Sequence, residues 1–205
     1  VACAQGRWNT PKLKGSGVTV YLLPGEAFAI DYQGKILPPS FGCDGFFLIV
    51  DLATGYFRIY GTNDKTKLLD VMLDWTLFML SLGHIVKKGR CDAGKVETSK
   101  EFTQAANKLG IEIIPNPKGK PESNVERVKQ TVSKDIATIL MTTPTLGETD
   151  WLYCAHFSQE VRAISTNERS RLIDPSKSPY ELIKRRPPNL NRLMDVTIGD
   201  IVTFK

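Results

Sequence analysis

Apolar and polar positions along the chain alternate between short runs and helical periods, and their order predicts an α/β domain. Residues 27–32 (AFAIDY) form a short apolar run with one carboxylate, Asp31, set inside it. Residues 46–52 (FFLIVDL) are apolar almost without break, as in a strand covered on both faces. An Ala-Thr-Gly turn leads into 56–60 (YFRIY), so the first three strands read as an antiparallel meander. Residues 64–82 are mostly helix formers and apolar groups, ended by Gly83 as a C-cap. A fourth strand over 85–91 delivers Asp92-Ala-Gly94 at its C-terminal end. Thr98-Ser-Lys-Glu101 is a capping box, and Phe102, Ala105, Ala106 and Leu109 give the next helix its apolar face. Residues 111–114 make a fifth strand. Helical crossovers make the later strands parallel, which gives a mixed sheet flanked by helices.

After a loop broken by proline and glycine, Val125, Val128, Val132 and Ile136 recur at three- and four-residue steps, the mark of an amphipathic helix. Glu126 falls on its other face with Lys129, Gln130 and Ser133 as helical neighbours. Two readings of Glu126 stand side by side. Ser123-Asn-Val-Glu126 is a capping box, in which the glutamate ties off the helix start. A carboxylate beside a flexible loop and basic residues also suits a metal held against a phosphate. A further helix is predicted over 148–165, with Trp151, Leu152, Cys154, Ala155, Val161 and Ile164 apolar. Residues 167–188 read as polar and irregular, and 196–204 as a small β-ribbon, both outside the main core. Residues 1–24 read as a linker with one short strand at 18–22.

Composition narrows the function. The 205 residues are 41% hydrophobic and 24% charged, which suits one globular domain with appendages. The net charge of +5 is uneven: seven Lys or Arg against two acids lie between residues 169 and 192, including Lys184-Arg185-Arg186. Such a run follows a phosphate backbone or forms a solvated tail. The four cysteines, Cys3, Cys43, Cys91 and Cys154, are scattered without a C-x-x-C pair, so no complete zinc site or disulfide framework is declared. No apolar run reaches the length of a membrane span. A chain that begins at Val1 reads as a piece of something longer.

The carboxylates then separate by position. Ligands in open α/β sheets gather at the carboxyl ends of parallel strands, where the fourth strand would deposit Asp92. A first strand parallel and adjacent to it makes Asp31 its neighbour, and two such aspartates repel unless cations lie between them. A Mg²⁺ pair there can activate a hydroxyl and stabilise the leaving oxygen of a phosphodiester. Glu126 would complete the cage. Asp51 lies on an antiparallel strand, Asp44 in a Gly-Cys-Asp-Gly turn and Glu122 in the loop, and these three read as structural or solvated. His84 and His156 have no matching nucleophile, so triad chemistry has no support.

Asp31, Asp92 and Glu126, with thirty-three residues between the last two, resemble the D,D,E triad of retroviral and retrotransposon integrases. Residues 25–32 (GEAFAIDY) look like that family's first-strand motif, and 49–56 (IVDLATGY) like its second strand and turn. Residues 90–94 (RCDAG) resemble T-D-N-G, and 121–127 (PESNVER) resemble P-x-x-N-G-x-x-E-R. Residues 178–182 (SPYEL) with 186–190 (RPPNL) are similar to the S-P-Y-E-L … K-P-N-L segment of copia-type integrases, the most specific of these matches. The resemblance covers about residues 25–194.

It implies a ribonuclease-H-like catalytic core over 25–166, a basic C-terminal extension over 167–205, and metal-dependent 3′-end processing and strand transfer with Mg²⁺ or Mn²⁺. Asp31 and Asp92 would bridge the metals, and Arg127, Lys129, Lys134, Lys184, Arg185 and Arg186 would contact DNA phosphates. Cys3 would be the last ligand of a zinc module whose other ligands are absent. Release from a cytoplasmic polyprotein, homo-oligomers on element ends, action in the nucleus and no membrane follow from the same likeness. Three departures from the pattern stand out: Ala93 replaces the usual Asn, the last motif is shorter than usual and lacks its glycine, and Val96-Glu97 blurs an acidic-aromatic pair. The shortened motif leaves Glu122 as an alternative third ligand. The rival reading is a decayed or host-adopted integrase-like domain that binds DNA or assembles without transfer; a host nuclease of the same fold is a third.

Overall fold

A computed structural model describes residues 23–91, 100–116 and 123–190. Cys3, Asp92, Ala93, Val96, Glu97, Glu122, the short strand at 18–22 and the ribbon at 196–204 lie outside the described residues.

Five strands form one mixed sheet: β1 (Ala27–Gly34), β2 (Gly45–Asp51), β3 (Phe57–Thr62), β4 (Lys88–Cys91) and β5 (Glu112–Pro115), in the order β3-β2-β1-β4-β5. β1, β2 and β3 pair antiparallel, whereas β4 runs parallel to β1 and to β5. Every residue of β2 is buried, as its unbroken apolar run requires. The helices are α1 (Leu68–Ser81), α2 (Lys100–Lys108), α3 (Ser123–Thr142), α4 (Trp151–Ile164), α5 (Glu168–Ile173) and α6 (Pro179–Lys184). Single turns of 3₁₀ helix at Lys65–Lys67 and Glu148–Asp150 lead into α1 and α4. Thus the predicted helix over 64–82 starts as a tighter turn, capped by Asp64, whose carboxylate accepts from the Thr66 amide at 2.8 Å. It ends at Gly83, whose φ of 78° is the left-handed geometry that closes a helix.

Strand alternation divides the core into two layers. Phe28, Ile30, Phe47 and Ile49 face one side, where Leu68, Met72, Trp75 and Met79 of α1 and Phe102 and Ala106 of α2 cover them. Ala27, Ala29, Leu48 and Val50 face the other, under Val125 and Val132 of α3 and Trp151, Leu152 and Ala155 of α4. Gly89 shows how closely β4 is packed: a Cβ there would lie 2.6 Å from Phe28 and 2.8 Å from Ile113.

The stretch read as irregular, 167–188, is not so. It contains α5 and α6, each started by a reciprocal capping box: Asn167 with Ser170, and Ser178 with Glu181. Pro179, at the first turn, is preorganised for a helix start. Nor is it outside the core. Ile183 is fully buried in the layer on the α1 side, and its carbonyl lies 2.8 Å from His84 Nε2. His84 is therefore a structural histidine, and a buried Ile side chain contributes about 2 kcal/mol. In α4, Val161 is more exposed than its apolar character suggested, while Ser158, Gln159 and Ala163 are buried. Gln159 Oε1 accepts from the Ile59 amide at 2.7 Å, which satisfies an edge-strand donor of β3.

Candidate functional site

The site forms where β1 meets the first turn of α3. Asp31 shares a face with Ala29 and points to the α3 side, because residues two apart on a strand lie on one face. α3 is seated by Val125 and Val132, which puts Glu126 and Lys129, one turn apart, together beside β1.

Lys129 joins the two acids. Its ammonium donates to Asp31 Oδ2 at 2.7 Å and stands 3.0 Å from Glu126 Oε2. The second Glu126 oxygen accepts from Gln130 Nε2 at 3.2 Å, and Asp31 Oδ1 accepts from the Tyr32 amide at 2.8 Å. The Lys129 side chain is only 17% exposed, a degree of burial that lysine reaches when it is paired. Hydrogen bonding to Lys129 holds the Glu126 carboxyl below the usual glutamate range. Burial works against the charge on Lys129, but bonds to Asp31 and Glu126 outweigh it and raise its pKa.

Neighbouring contacts fix the helix that carries this pair. Asp135, further along α3, accepts from Ser158 Oγ at 2.6 Å and from Arg162 Nε and Nη2 at 3.0 and 2.7 Å, pinning α3 to α4. At the other end, the Arg169 guanidinium donates to Asn124 Oδ1 and to the Leu52 carbonyl. Asn167 Nδ2 donates to the Thr54 carbonyl at 3.0 Å. The first turn of α3 is thereby tied to the turn after β2. Sequence reasoning missed Arg169 and Asn167, although Asn167-Glu-Arg-Ser170 carries a helix-start signal.

Other predicted residues fall as follows. Asp51 is fully buried and accepts from the Gly25 amide at 2.9 Å, the Thr54 amide at 2.8 Å and the Thr54 hydroxyl at 2.7 Å. It is a turn-forming acid, as its antiparallel strand predicted, and burial pushes its carboxyl up to about 6. Asp44 lies in the loop before β2, where its backbone carbonyl accepts from the Ile36 amide at 2.8 Å. Arg127 and Lys134 are exposed on α3, Arg127 at 3.8 Å from Glu168. Lys184, Arg185 and Arg186 do not join the Asp31–Glu126 pair. They follow Ile183 on the opposite face of the sheet, with the Lys184 ammonium 4.3 Å from the Phe78 ring centre. Arg186 borders a hollow of about 500 Å³ that Glu160, Tyr180, Pro187 and Pro188 also line.

The donor chemistry fits a hard divalent cation. Two carboxylates from separate elements already share one positive charge, and oxygen is what Mg²⁺ and Mn²⁺ select. Among the described residues no three potential ligands cluster. β4 ends at Cys91, the Cα partner of Ile30, and Asp92 is the next residue in sequence. Cys43 and Cys154 are free thiols, and Cys91 is buried at the end of β4. Among the described residues no helix is long and apolar enough to cross a membrane.

No family model matches the chain. The Pro-Pol polyprotein of feline foamy virus is 30% identical over 123 residues, which is 59% of this chain and 10% of that protein. The chain thus spans about a tenth of the length of the curated relative it matches. Among solved structures, a chain of the simian T-cell lymphotropic virus intasome in complex with PP2A regulatory subunit B56 gamma matches with a TM-score of 0.63 at 16% identity, over 96% of this chain and 66% of its own. The HTLV-2 integrase catalytic core domain, in complex with magnesium and in a trimeric form, matches with a TM-score of 0.56 at 15% identity, over 79% of this chain and 98% of its own. The fold is that of the retroviral integrase catalytic core, a ribonuclease-H-like sheet with helices on both faces.

Proposed function

We propose that this chain is the catalytic core of an integrase from a copia-type retrotransposon, a polynucleotidyl transferase that processes 3′ ends and joins element DNA to a target duplex. One observation carries the reading: Asp31 from β1 and Glu126 from α3, the two triad positions within the described residues, converge on a single cation. The core fold and the foamy-virus relative support it. The copia assignment rests on residues 178–190, whose SPYEL segment builds the capped α6.

Asp31, Glu126 and Asp92 would hold Mg²⁺ or Mn²⁺, which when bound polarises the phosphodiester and lowers the pKa of the attacking hydroxyl. Asp31 is held by the central strand, and Glu126 is presented from a helix turn that Arg169 and Asp135 keep in place. Arg127 and Lys134 would meet phosphates and set register without reading bases. Lys184, Arg185 and Arg186, on the other face of the sheet, would track a separate stretch of DNA. The partners are DNA and further copies of this chain, in keeping with the intasome and the trimeric form of its structural relatives. The site of action is the nucleus, after release from a polyprotein, and Cys3 would belong to a zinc module preceding the core.

The test is strand transfer on a short donor duplex with Mg²⁺ or Mn²⁺. Metal-dependent joining should be lost in Asp31→Asn, Asp92→Asn and Glu126→Gln and kept in Glu122→Gln. Joining that survives Glu126→Gln but not Glu122→Gln would move the third ligand to Glu122. Salt-sensitive DNA binding with no joining in the wild-type chain would refute the transferase and leave a binding module.

A further inference from the structure

We infer that Lys129 is a tethered counter-ion that competes with the divalent metal for Asp31 and Glu126, so that metal entry requires its ammonium to leave. The inference rests on the reading that these carboxylates are metal ligands.

Geometry makes the case. An ordinary surface pair links one lysine to one acid, with both heads in water. Here one ammonium touches acids from two elements at 2.7 and 3.0 Å and is largely withdrawn from solvent. Neither Asp31 nor Glu126 has any other cation within salt-bridge distance among the described pairs, so Lys129 supplies the positive charge that lets the two acids approach. A divalent ion bound by Asp31 Oδ2 and Glu126 Oε2 would use the two oxygens that Lys129 now holds. Ammonium and metal cannot share them, because each cation would face the other within a few ångströms in a partly buried site. Lys129 has the means to move. Its four-carbon stem can carry the head away from the acids while the backbone of α3 stays where Val125 and Val132 seat it.

The arrangement has two effects on the same protein. Without metal, Lys129 holds the first turn of α3 against β1 and keeps the carboxylates close to one another. With metal, the protein must give up that pair, so its affinity is lower than the carboxylates alone would confer. A tenfold loss corresponds to about 1.4 kcal/mol, within reach of a charge-assisted contact of this burial.

Lys129→Met removes the charge and keeps most of the stem. Isothermal titration of the full chain with Mn²⁺ should give a Kd about tenfold lower for Lys129→Met than for wild type. Thermal unfolding should show a lower Tm for the variant in EDTA and a larger rise on adding Mn²⁺. Asp31→Asn and Glu126→Gln serve as controls, and both should abolish binding at this site. If Lys129→Met binds Mn²⁺ no more tightly than wild type while both controls lose it, the carboxylates are ligands but Lys129 is no competitor, and the inference falls alone. If neither wild type nor Lys129→Met binds, or if the controls bind as wild type does, the metal reading falls and takes the inference with it.

Discussion

Asp51 offers a sharp separation of a structural acid from a catalytic one. Its two oxygens accept three hydrogen bonds, from Gly25 and Thr54 amides and the Thr54 hydroxyl, and it is fully buried. Replacing it by Asn leaves one acceptor oxygen, so in either amide orientation one buried backbone N–H loses its partner, at a cost of about 1–3 kcal/mol. Burial raises the folded-state carboxyl from 3.8 to about 6, against the lowering effect of its hydrogen bonds. The folded protein therefore holds this proton more tightly than the unfolded chain. The stability so gained is fully present below 3.8 and is lost as pH rises to about 6. Over that window the loss amounts to about 3 kcal/mol, at 1.36 kcal/mol for each pK unit. Urea unfolding followed by tryptophan fluorescence at steps between pH 4 and 7.5 should show wild type losing stability relative to Asp51→Asn up to pH 6, then running parallel. Strand transfer by the folded variant should persist. Parallel profiles throughout would refute the burial argument, and a folded but inactive variant would refute the structural assignment.

Two further outcomes follow from packing. Ile183→Ala should cost about 2–5 kcal/mol, the range for truncating a fully buried aliphatic side chain, measured as a shift in the urea midpoint; a change under 0.5 kcal/mol would mean that α6 does not seal the core. Arg169→Met removes the donor to Asn124 and Leu52 and should cost about 1–3 kcal/mol. Hydrogen exchange should accelerate in the first turns of α3, with α4 unchanged; unchanged exchange in α3 would remove Arg169 from its support.

Most of the sheet was legible because strand signals are local. The unbroken run in β2, the turn after Asp51 and the alternation in β3 each act on neighbouring residues. The direction of β4 was also readable, since a helical crossover makes it run parallel to β3 and so to β1. That β4 lies next to β1 and brings its end to Asp31 is decided by the sheet order. Legibility ended where distant partners decide. Residues 167–188 looked irregular because six-residue helices are too short for an apolar period, and their caps were the only available signal. The role of Lys129 was half visible: Glu126 and Lys129 at three-residue spacing declare a helix pair, yet nothing local says that Asp31 is the third member. Lys184, Arg185 and Arg186 read as a continuous basic run, but which face of the sheet they occupy depends on where Ile183 is buried.

The bond between His84 and the Ile183 carbonyl joins residues 99 apart in sequence. It sets an order of events during synthesis. α1 and the first three strands are made early, but the layer beneath α1 lacks its last side chain until residue 183 has left the ribosome. Closing so long a loop is slow compared with forming the β1–β2–β3 meander. Until then the nascent chain exposes the apolar surface that Ile183 will cover, while β2 and β4, both made earlier, already flank the strand that carries Asp31.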